Sequence, residues 1–143
     1  MRIPAEYQWR VGMMKTRTIR QSVTFKASAH EVYEALMDSG KHGRFTEAKA
    51  TISRKVGGKF SVWEGQIEGV NLELVPDGKI VQSWRMDDWP EGHFSKATFQ
   101  FEESDGKTKL TFVQTGVPEE FYEDIKQGWR DYYWEPMKEM LEK

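Results

Sequence analysis

The closing segment of the chain, residues 118–143, has the sequence PEEFYEDIKQGWRDYYWEPMKEMLEK. At about 3.6 residues per turn, its large apolar side chains fall on one stripe of a helix. The stripe consists of Phe121, Ile125, Trp129, Tyr132, Pro136 and Met140. Pro118 is typical of a helix start, because its missing N–H would have had no partner there. The pattern predicts one long amphipathic helix with a kink near Pro136.

Three apolar residues of this segment, Trp134, Met137 and Leu141, fall outside the stripe. On a regular helix they face the polar side, and exposed aromatic and Met residues together often mark an interface. One interpretation is therefore a partner surface. The other is packing against residues 1–15, within one chain or in a dimer, so the sequence leaves a monomer or a dimer open.

The segments before the closing helix predict one strand, two short helices and then a series of strands. Residues 16–26 alternate apolar and polar side chains, as a half-buried strand does. Ser28 and Glu31 form a capping box that starts a helix ending near Met37. Asp38 or Ser39 caps a second short helix that ends before Gly43. From Phe45 onward the pattern predicts strands at 46–53, 59–63, 66–75, 79–86, 94–103 and 107–115.

This order of elements predicts an α+β fold with an antiparallel sheet and the helices on one face. Alternation is strict in 94–103, where Ala97, Phe99 and Phe101 share one face. Ser104, Asp105 and Gly106 then provide a strong hairpin turn. If the sheet curves, its concave side can cover the aromatic stripe of the closing helix.

Length, charge and composition limit the class of protein. The chain has 143 residues, which suits a single domain at 16–143, preceded by a segment without clear periodicity at 1–15. That segment is expected to pack on a neighbour or to be disordered. The near-neutral balance of 21 basic and 23 acidic residues argues against a nucleic-acid binder. Without Cys or a long apolar run, we expect a cytoplasmic protein with no membrane span.

Several motifs occur in an order that is specific to one family: GGKF at 57–60, Gly65, Gly69, LVP at 74–76, WPEGHF at 89–94 and QGWRDYY at 127–133. Over residues 16–143 the chain resembles the activators of the ninety-kilodalton heat-shock protein ATPase, specifically their second, C-terminal domain. That domain type belongs to the START/Bet v 1-like superfamily. The resemblance implies a helix-grip fold, in which a curved antiparallel sheet wraps around a long C-terminal helix and two short helices follow the first strand.

The resemblance implies a chaperone-associated binding protein that binds the heat-shock protein and stimulates it weakly. Two alternatives stay open. The first is a carrier or sensor of an apolar small molecule or lipid, held in a cavity between the sheet and the closing helix, as in many superfamily members. The second is a cyclase-like enzyme, which needs a polar group inside that cavity.

Five aromatic residues are predicted to meet between the sheet and the closing helix: Trp84, Phe99, Phe101, Phe112 and Trp129. They form either the lining of a ligand cavity or a filled core.

The composition of residues 87–93 predicts a loop. Its residues Trp89, Pro90, Glu91 and His93 form an edge of the cavity, a partner surface or a rigid turn between two strands. For catalysis the sequence offers no candidate: His30, His42 and His93 are scattered, without the spacing of a helical metal site. We therefore expect no catalytic residue, no metal and no cofactor.

Overall fold

The computed structural model describes residues 14–143, so the predicted arm at 1–15 lies almost entirely outside the described residues. Seven strands form one sheet in which every neighbouring pair is antiparallel, in the spatial order β1-β7-β6-β5-β4-β3-β2. The strands are β1 Thr16–Phe25, β2 Thr51–Ile52, β3 Lys59–Val62, β4 Ile67–Val75, β5 Lys79–Met86, β6 Ser95–Ser104 and β7 Lys107–Pro118. The curved sheet wraps around the C-terminal helix, which confirms the predicted helix-grip α+β fold.

Two short helices follow β1, as predicted: α1 Ala29–Met37 and α2 Ser39–Thr46. The hydroxyl of Ser28 accepts a hydrogen bond from the Glu31 N–H at 3.1 Å, and the carboxylate of Asp38 accepts one from the Lys41 N–H at 2.9 Å. Both caps satisfy N–H groups that have no partner within the helix.

The second short helix is longer than predicted. It continues through Phe45 and Thr46 to a left-handed Glu47, where a strand had been predicted from Phe45 onward. Phe45 is buried against the aromatic rings of His42 and Tyr133, so tertiary packing overrides its strand preference. The predicted strand at 46–53 is reduced to the two residues of β2.

The closing helix changes its winding three times. A 3₁₀ turn, Glu119–Phe121, leads into α3, Tyr122–Trp129, which continues through a π-helical segment, Arg130–Trp134, into α4, Glu135–Leu141. In the π-helical segment the Glu135 N–H donates to the Arg130 carbonyl, five residues back. Pro136 follows immediately, and it has no N–H to donate in any case.

The π-helical segment shifts the register of every later residue by about one position, or about 100° around the helix. The prediction of an outer apolar patch is therefore wrong: Trp134 and Met137 are buried, and Leu141 packs partly buried against the core. Tyr132, predicted on the buried stripe, is 58% exposed, whereas Tyr133 is buried in its place.

A clamp from β1 holds the turn at which the winding changes. The Nε2–H of Gln21 donates to the Lys126 carbonyl at 2.9 Å, and the Oε1 of the same side chain accepts from the Trp134 Nε1–H at 2.7 Å. One amide thus bonds the helix before its π-helical segment and at the last residue of that segment, which satisfies polar atoms that a partly buried position would otherwise leave unpaired.

A chain of buried hydrogen bonds connects the closing helix to three strands. The Trp129 Nε1–H donates to Gln114 Oε1 at 2.8 Å, and the Gln114 Nε2–H donates to Ser95 Oγ at 2.9 Å. The Ser95 hydroxyl in turn donates to the Trp84 carbonyl at 2.8 Å. We call these four residues the Trp129 relay. It fixes the helix against β7, β6 and β5 in the centre of the core.

Two glycines in the predicted family motifs should respond in opposite ways to substitution by alanine. A Cβ at Gly69 on β4 would lie 1.8 Å from the Ser83 carbonyl oxygen, whereas a Cβ at Gly128 would meet only Tyr132 Cδ2, at 3.7 Å. We expect Gly128→Ala to stabilise the fold by about 0.5–1 kcal/mol, because glycine weakens a helix interior. We expect Gly69→Ala to destabilise it by at least about 2 kcal/mol through overpacking.

Urea unfolding of the two variants and the parent measures both effects. A neutral Gly69→Ala would contradict the close approach of β4 to β5, and a destabilising Gly128→Ala would contradict the open space beside the closing helix.

Candidate functional site

A groove of about 400 Å³ opens between the closing helix and the strands β4 and β5. Its volume lies within the range of small-molecule sites, about 300–1,000 Å³. The strand side consists of Trp63, Gln66, Ile67, Trp84 and Met86, and the helix side of Asp124, Ile125, Gly128, Trp129, Tyr132 and Tyr133. We call this the aromatic groove.

Trp63 reaches the groove from a strained turn between β3 and β4. Trp63, Glu64 and Gly65 have φ values of 54°, 56° and 91°, so three consecutive residues are left-handed. For a bulky residue such as tryptophan this conformation costs on the order of 1–3 kcal/mol and persists only where contacts fix it. The Trp63 ring meets Tyr132 edge-on, with 5.5 Å between ring centroids, and its Nε1–H donates to the Tyr133 hydroxyl at 3.3 Å.

The π-helical segment supplies the opposite wall. It directs the exposed Tyr132 to the mouth of the groove and the buried Tyr133 to its inner end. Single π-helical turns within α-helices are frequent at functional sites, because they re-aim side chains at the expense of regular hydrogen bonding. Both walls of the groove therefore depend on backbone that departs from regular structure.

A buried histidine ends the hydrogen-bond chain that begins at Trp63. The Tyr133 hydroxyl lies 3.1 Å from His42 Nε2. Burial lowers the pKa of His42 to about 4, and it raises the pKa of Tyr133 above its usual value. Neither group carries charge near neutral pH, which fits their position behind an apolar groove.

The five aromatic residues predicted between sheet and helix are all buried, with exposures of 7% or less: Trp84, Phe99, Phe101, Phe112 and Trp129. They pack closely, as in the Phe112–Trp129 contact with 4.4 Å between ring centroids. The interior beside them leaves a cavity of only about 20 Å³, which is enough for about one water molecule. Of the five, Trp84 and Trp129 also line the aromatic groove.

The predicted partner loop at 87–93 has a buried centre. Trp89 is 3% exposed and packs on Trp84 and Phe121, with ring centroids 5.4 Å and 6.3 Å away, so the expectation that it contributes to a surface is wrong. Its ring has the largest apolar area in the loop, and the core gains by burying it. Pro90 and His93 are half-buried, and Glu91 is exposed.

Two further hydrogen bonds hold this loop. The Arg85 Nη2–H donates to the Trp89 carbonyl at 2.8 Å, and His93 Nε2 lies 2.7 Å from the Gly116 carbonyl, to which its N–H donates. Phe94, just after the loop, is 44% exposed.

Most of the groove could not be predicted from the sequence. Trp63, Met86 and Ile125 have no spacing relation that joins them before the fold is known, and Tyr132 was placed on the wrong side of the helix. The signal that was available is the pair Trp63 and Gly65, since a glycine two residues after a large aromatic indicates a tight turn.

Among residues 14–143, no group of three or more His, Asp or Glu side chains could hold a metal ion. Within the same residues, no helix is long and apolar enough to cross a membrane.

Protonation of His42 should lower the stability of the fold between pH 6.5 and pH 4. The pKa of His42 is about 4 in the folded protein and 6.5 in the unfolded chain. Between these values the unfolded chain binds a proton that the folded protein does not. The contribution is constant above pH 6.5 and is lost progressively as the pH falls to 4. The loss is on the order of 3 kcal/mol, since one pKa unit corresponds to about 1.4 kcal/mol.

Urea unfolding at a series of pH values measures the slope of the unfolding free energy against pH between 6.5 and 4. His42→Gln should remove it, and His30→Gln, at an exposed histidine of α1, should leave it unchanged. An identical slope in the parent and in His42→Gln would contradict a buried neutral His42.

Comparison with known proteins gives the family. The model of the family "Activator of Hsp90 ATPase homolog 1-like protein" matches residues 26–142. The "Activator of 90 kDa heat shock protein ATPase homolog" of Dictyostelium discoideum is 38% identical over 117 residues, which are 80% of this chain and 30% of that protein. The human "Activator of 90 kDa heat shock protein ATPase homolog 1" is 36% identical over 138 residues, or 95% of this chain and 41% of that protein.

Among solved structures, an HSP90 activator from Plasmodium falciparum superposes with a TM-score of 0.83 at 25% identity, covering 87% of this chain and 96% of the other. The matched part of this chain spans 30% and 41% of the length of the two curated relatives, which is less than half of each. The chain has the Bet v 1-like helix-grip fold and belongs to the family of Activator of Hsp90 ATPase homolog 1-like proteins.

Proposed function

We propose that this protein is a chaperone-associated factor that binds the ninety-kilodalton heat-shock protein and weakly stimulates its ATPase. The observation that carries the proposal is the family match over residues 26–142, together with relatives that are named as activators of that chaperone. Since this chain corresponds to less than half of those relatives, we ascribe binding to it first and treat stimulation as the weaker effect.

The rigid loop at 87–93 and the exposed Phe94 form the contact surface in this proposal. Interfaces gain affinity when a segment is already fixed before binding, because less entropy is lost on association. The buried Trp89, together with the hydrogen bonds of Arg85 and His93, supplies that rigidity. Phe94 is the anchor, since large exposed aromatic side chains often become the energetic centre of an interface.

Five acidic side chains are exposed in or near the loop at 87–93. Asp87, Asp88 and Glu91 are exposed in the loop, and Glu119 and Glu120 of the 3₁₀ turn are exposed beside Pro90. A surface of this charge favours a basic patch on the chaperone, which would accelerate encounter and fix orientation more than it would add affinity.

The proposal is tested by titrating the labelled protein with the ninety-kilodalton chaperone of its own host. We expect saturable shifts or selective broadening of amide signals in 87–94, with little change on the hairpin turn at 104–106. Phe94→Ala should weaken binding by about tenfold or more, as loss of an interface anchor does. Asp88→Lys should slow association at low salt, whereas Glu139→Lys, an exposed charge reversal on α4, should not.

An unchanged spectrum in excess chaperone would refute the proposal. Chaperone ATP hydrolysis measured in the same mixtures distinguishes an activator from a silent binding partner.

A further inference from the structure

The aromatic groove has an unusual lining for its size. Five of its eleven lining residues are aromatic: Trp63, Trp84, Trp129, Tyr132 and Tyr133. Aromatic rings present a negative face, so several rings around one space attract a positive charge more strongly than aliphatic side chains do. Ile67, Met86 and Ile125 supply an apolar surface in the same groove.

The charge of the groove has one sign. Asp124 is the single charged residue in its lining, and no Lys, Arg or His contributes to it. Three basic residues, Arg85, Lys126 and Arg130, adjoin lining residues in sequence, but none of them lines the groove. Lys126 Nζ lies over the Tyr122 ring, 5.5 Å from its centroid, and Arg85 Nη1 lies 3.5 Å from Glu68 Oε1. A negative carboxylate is thus combined with aromatic rings, and among the described residues no cation lines the groove.

A glycine keeps the space between the carboxylate and the exposed ring open. Asp124 and Gly128 are four residues apart on α3 and are neighbours on one side of the helix. A Cβ at Gly128 would lie 3.7 Å from Tyr132 Cδ2, so Tyr132 continues this row. A larger side chain at position 128 would occupy the middle of this row. Glycine weakens a helix interior, so Gly128 is typical of a position where the free space serves a function.

We propose that the aromatic groove binds a small organic cation, with a methylated or quaternary ammonium group attached to a flat apolar body. The ammonium group lies in the row between Asp124 and Tyr132, where the carboxylate and the ring faces both favour it. The apolar body lies against Ile67, Met86 and Ile125. An anion of the same shape would meet the Asp124 carboxylate and the negative ring faces, and it would be disfavoured.

This inference goes beyond chaperone binding and does not depend on it, since no residue of the loop at 87–93 lines the groove. A failure of either proposal therefore leaves the other standing.

The test uses three probes of similar shape and different charge: benzyltrimethylammonium, neutral benzyl methyl sulfone and anionic phenylmethanesulfonate. The full chain is titrated with each, and the indole N–H signals of the tryptophans are followed by NMR. We expect benzyltrimethylammonium to shift the signals of Trp63, Trp84 and Trp129 saturably. The signal of Trp134, whose N–H is bonded to Gln21, serves as the internal reference.

Three variants separate charge from space. Asp124→Asn should weaken binding of the cation by about three- to tenfold, the range of a partly exposed charge and cation–π contact. Glu123→Gln, a neighbouring carboxylate outside the groove lining, is the matched control and should change the affinity less than about twofold. Gly128→Leu should abolish the shifts while its thermal melt shows that the protein is folded.

Each contrary outcome overturns the proposal. Equal or tighter binding of the sulfone or the sulfonate, or an unchanged affinity in Asp124→Asn, would refute a site selective for cations. The absence of saturable shifts with all three probes would refute a ligand site in the groove.

Discussion

The structure depends on the hydrogen bond from the Trp129 indole to Gln114. Gln114 is fully buried in the middle of a β-sheet, and a buried amide is costly unless both its donor and its acceptor are paired. Here Oε1 accepts from the Trp129 indole, and Nε2 donates to the Ser95 hydroxyl. That hydroxyl in turn donates a hydrogen bond to the Trp84 carbonyl. A satisfied polar chain in an apolar core admits one arrangement of its members. It therefore fixes how far along the sheet the closing helix lies.

The irregular parts of the molecule follow from that constraint. With Trp129 fixed, the helix still has to bury Trp134 and Met137 and to accommodate Pro136. The π-helical segment does this with one additional residue, stabilised by Gln21 from β1. The additional residue of the π-helical segment also turns Tyr132 toward solvent. There Tyr132 contacts Trp63, which lies in a left-handed turn. The aromatic groove is thus a consequence of how the core is packed.

The sequence predicted the parts of the fold in which local pattern and tertiary packing agree. The alternation of Phe99 and Phe101, the two helix caps and the turn at 104–106 follow from side-chain period and backbone preference alone, and the structure has them. The family resemblance, carried by motifs in a fixed order, was also correct. The errors occur where packing decides: Phe45 lies in a helix, Trp89 lies inside its loop, and one π-helical turn moves Trp134 inward. A regular period of 3.6 residues per turn does not predict a π-helical turn, in which one residue is added.

A double-mutant cycle between Trp129 and Gln114 tests most directly whether the relay fixes the closing helix. Trp129→Phe and Gln114→Leu keep most of the apolar volume and each remove one side of the hydrogen bond, so each leaves a buried partner unpaired. Urea unfolding of the two single variants and the double variant gives their coupling energy. The account predicts a coupling of about 1–2 kcal/mol, with the double variant more stable than the sum of the single effects implies. Additive effects, within about 0.3 kcal/mol, would contradict it and would leave apolar packing alone to position the helix.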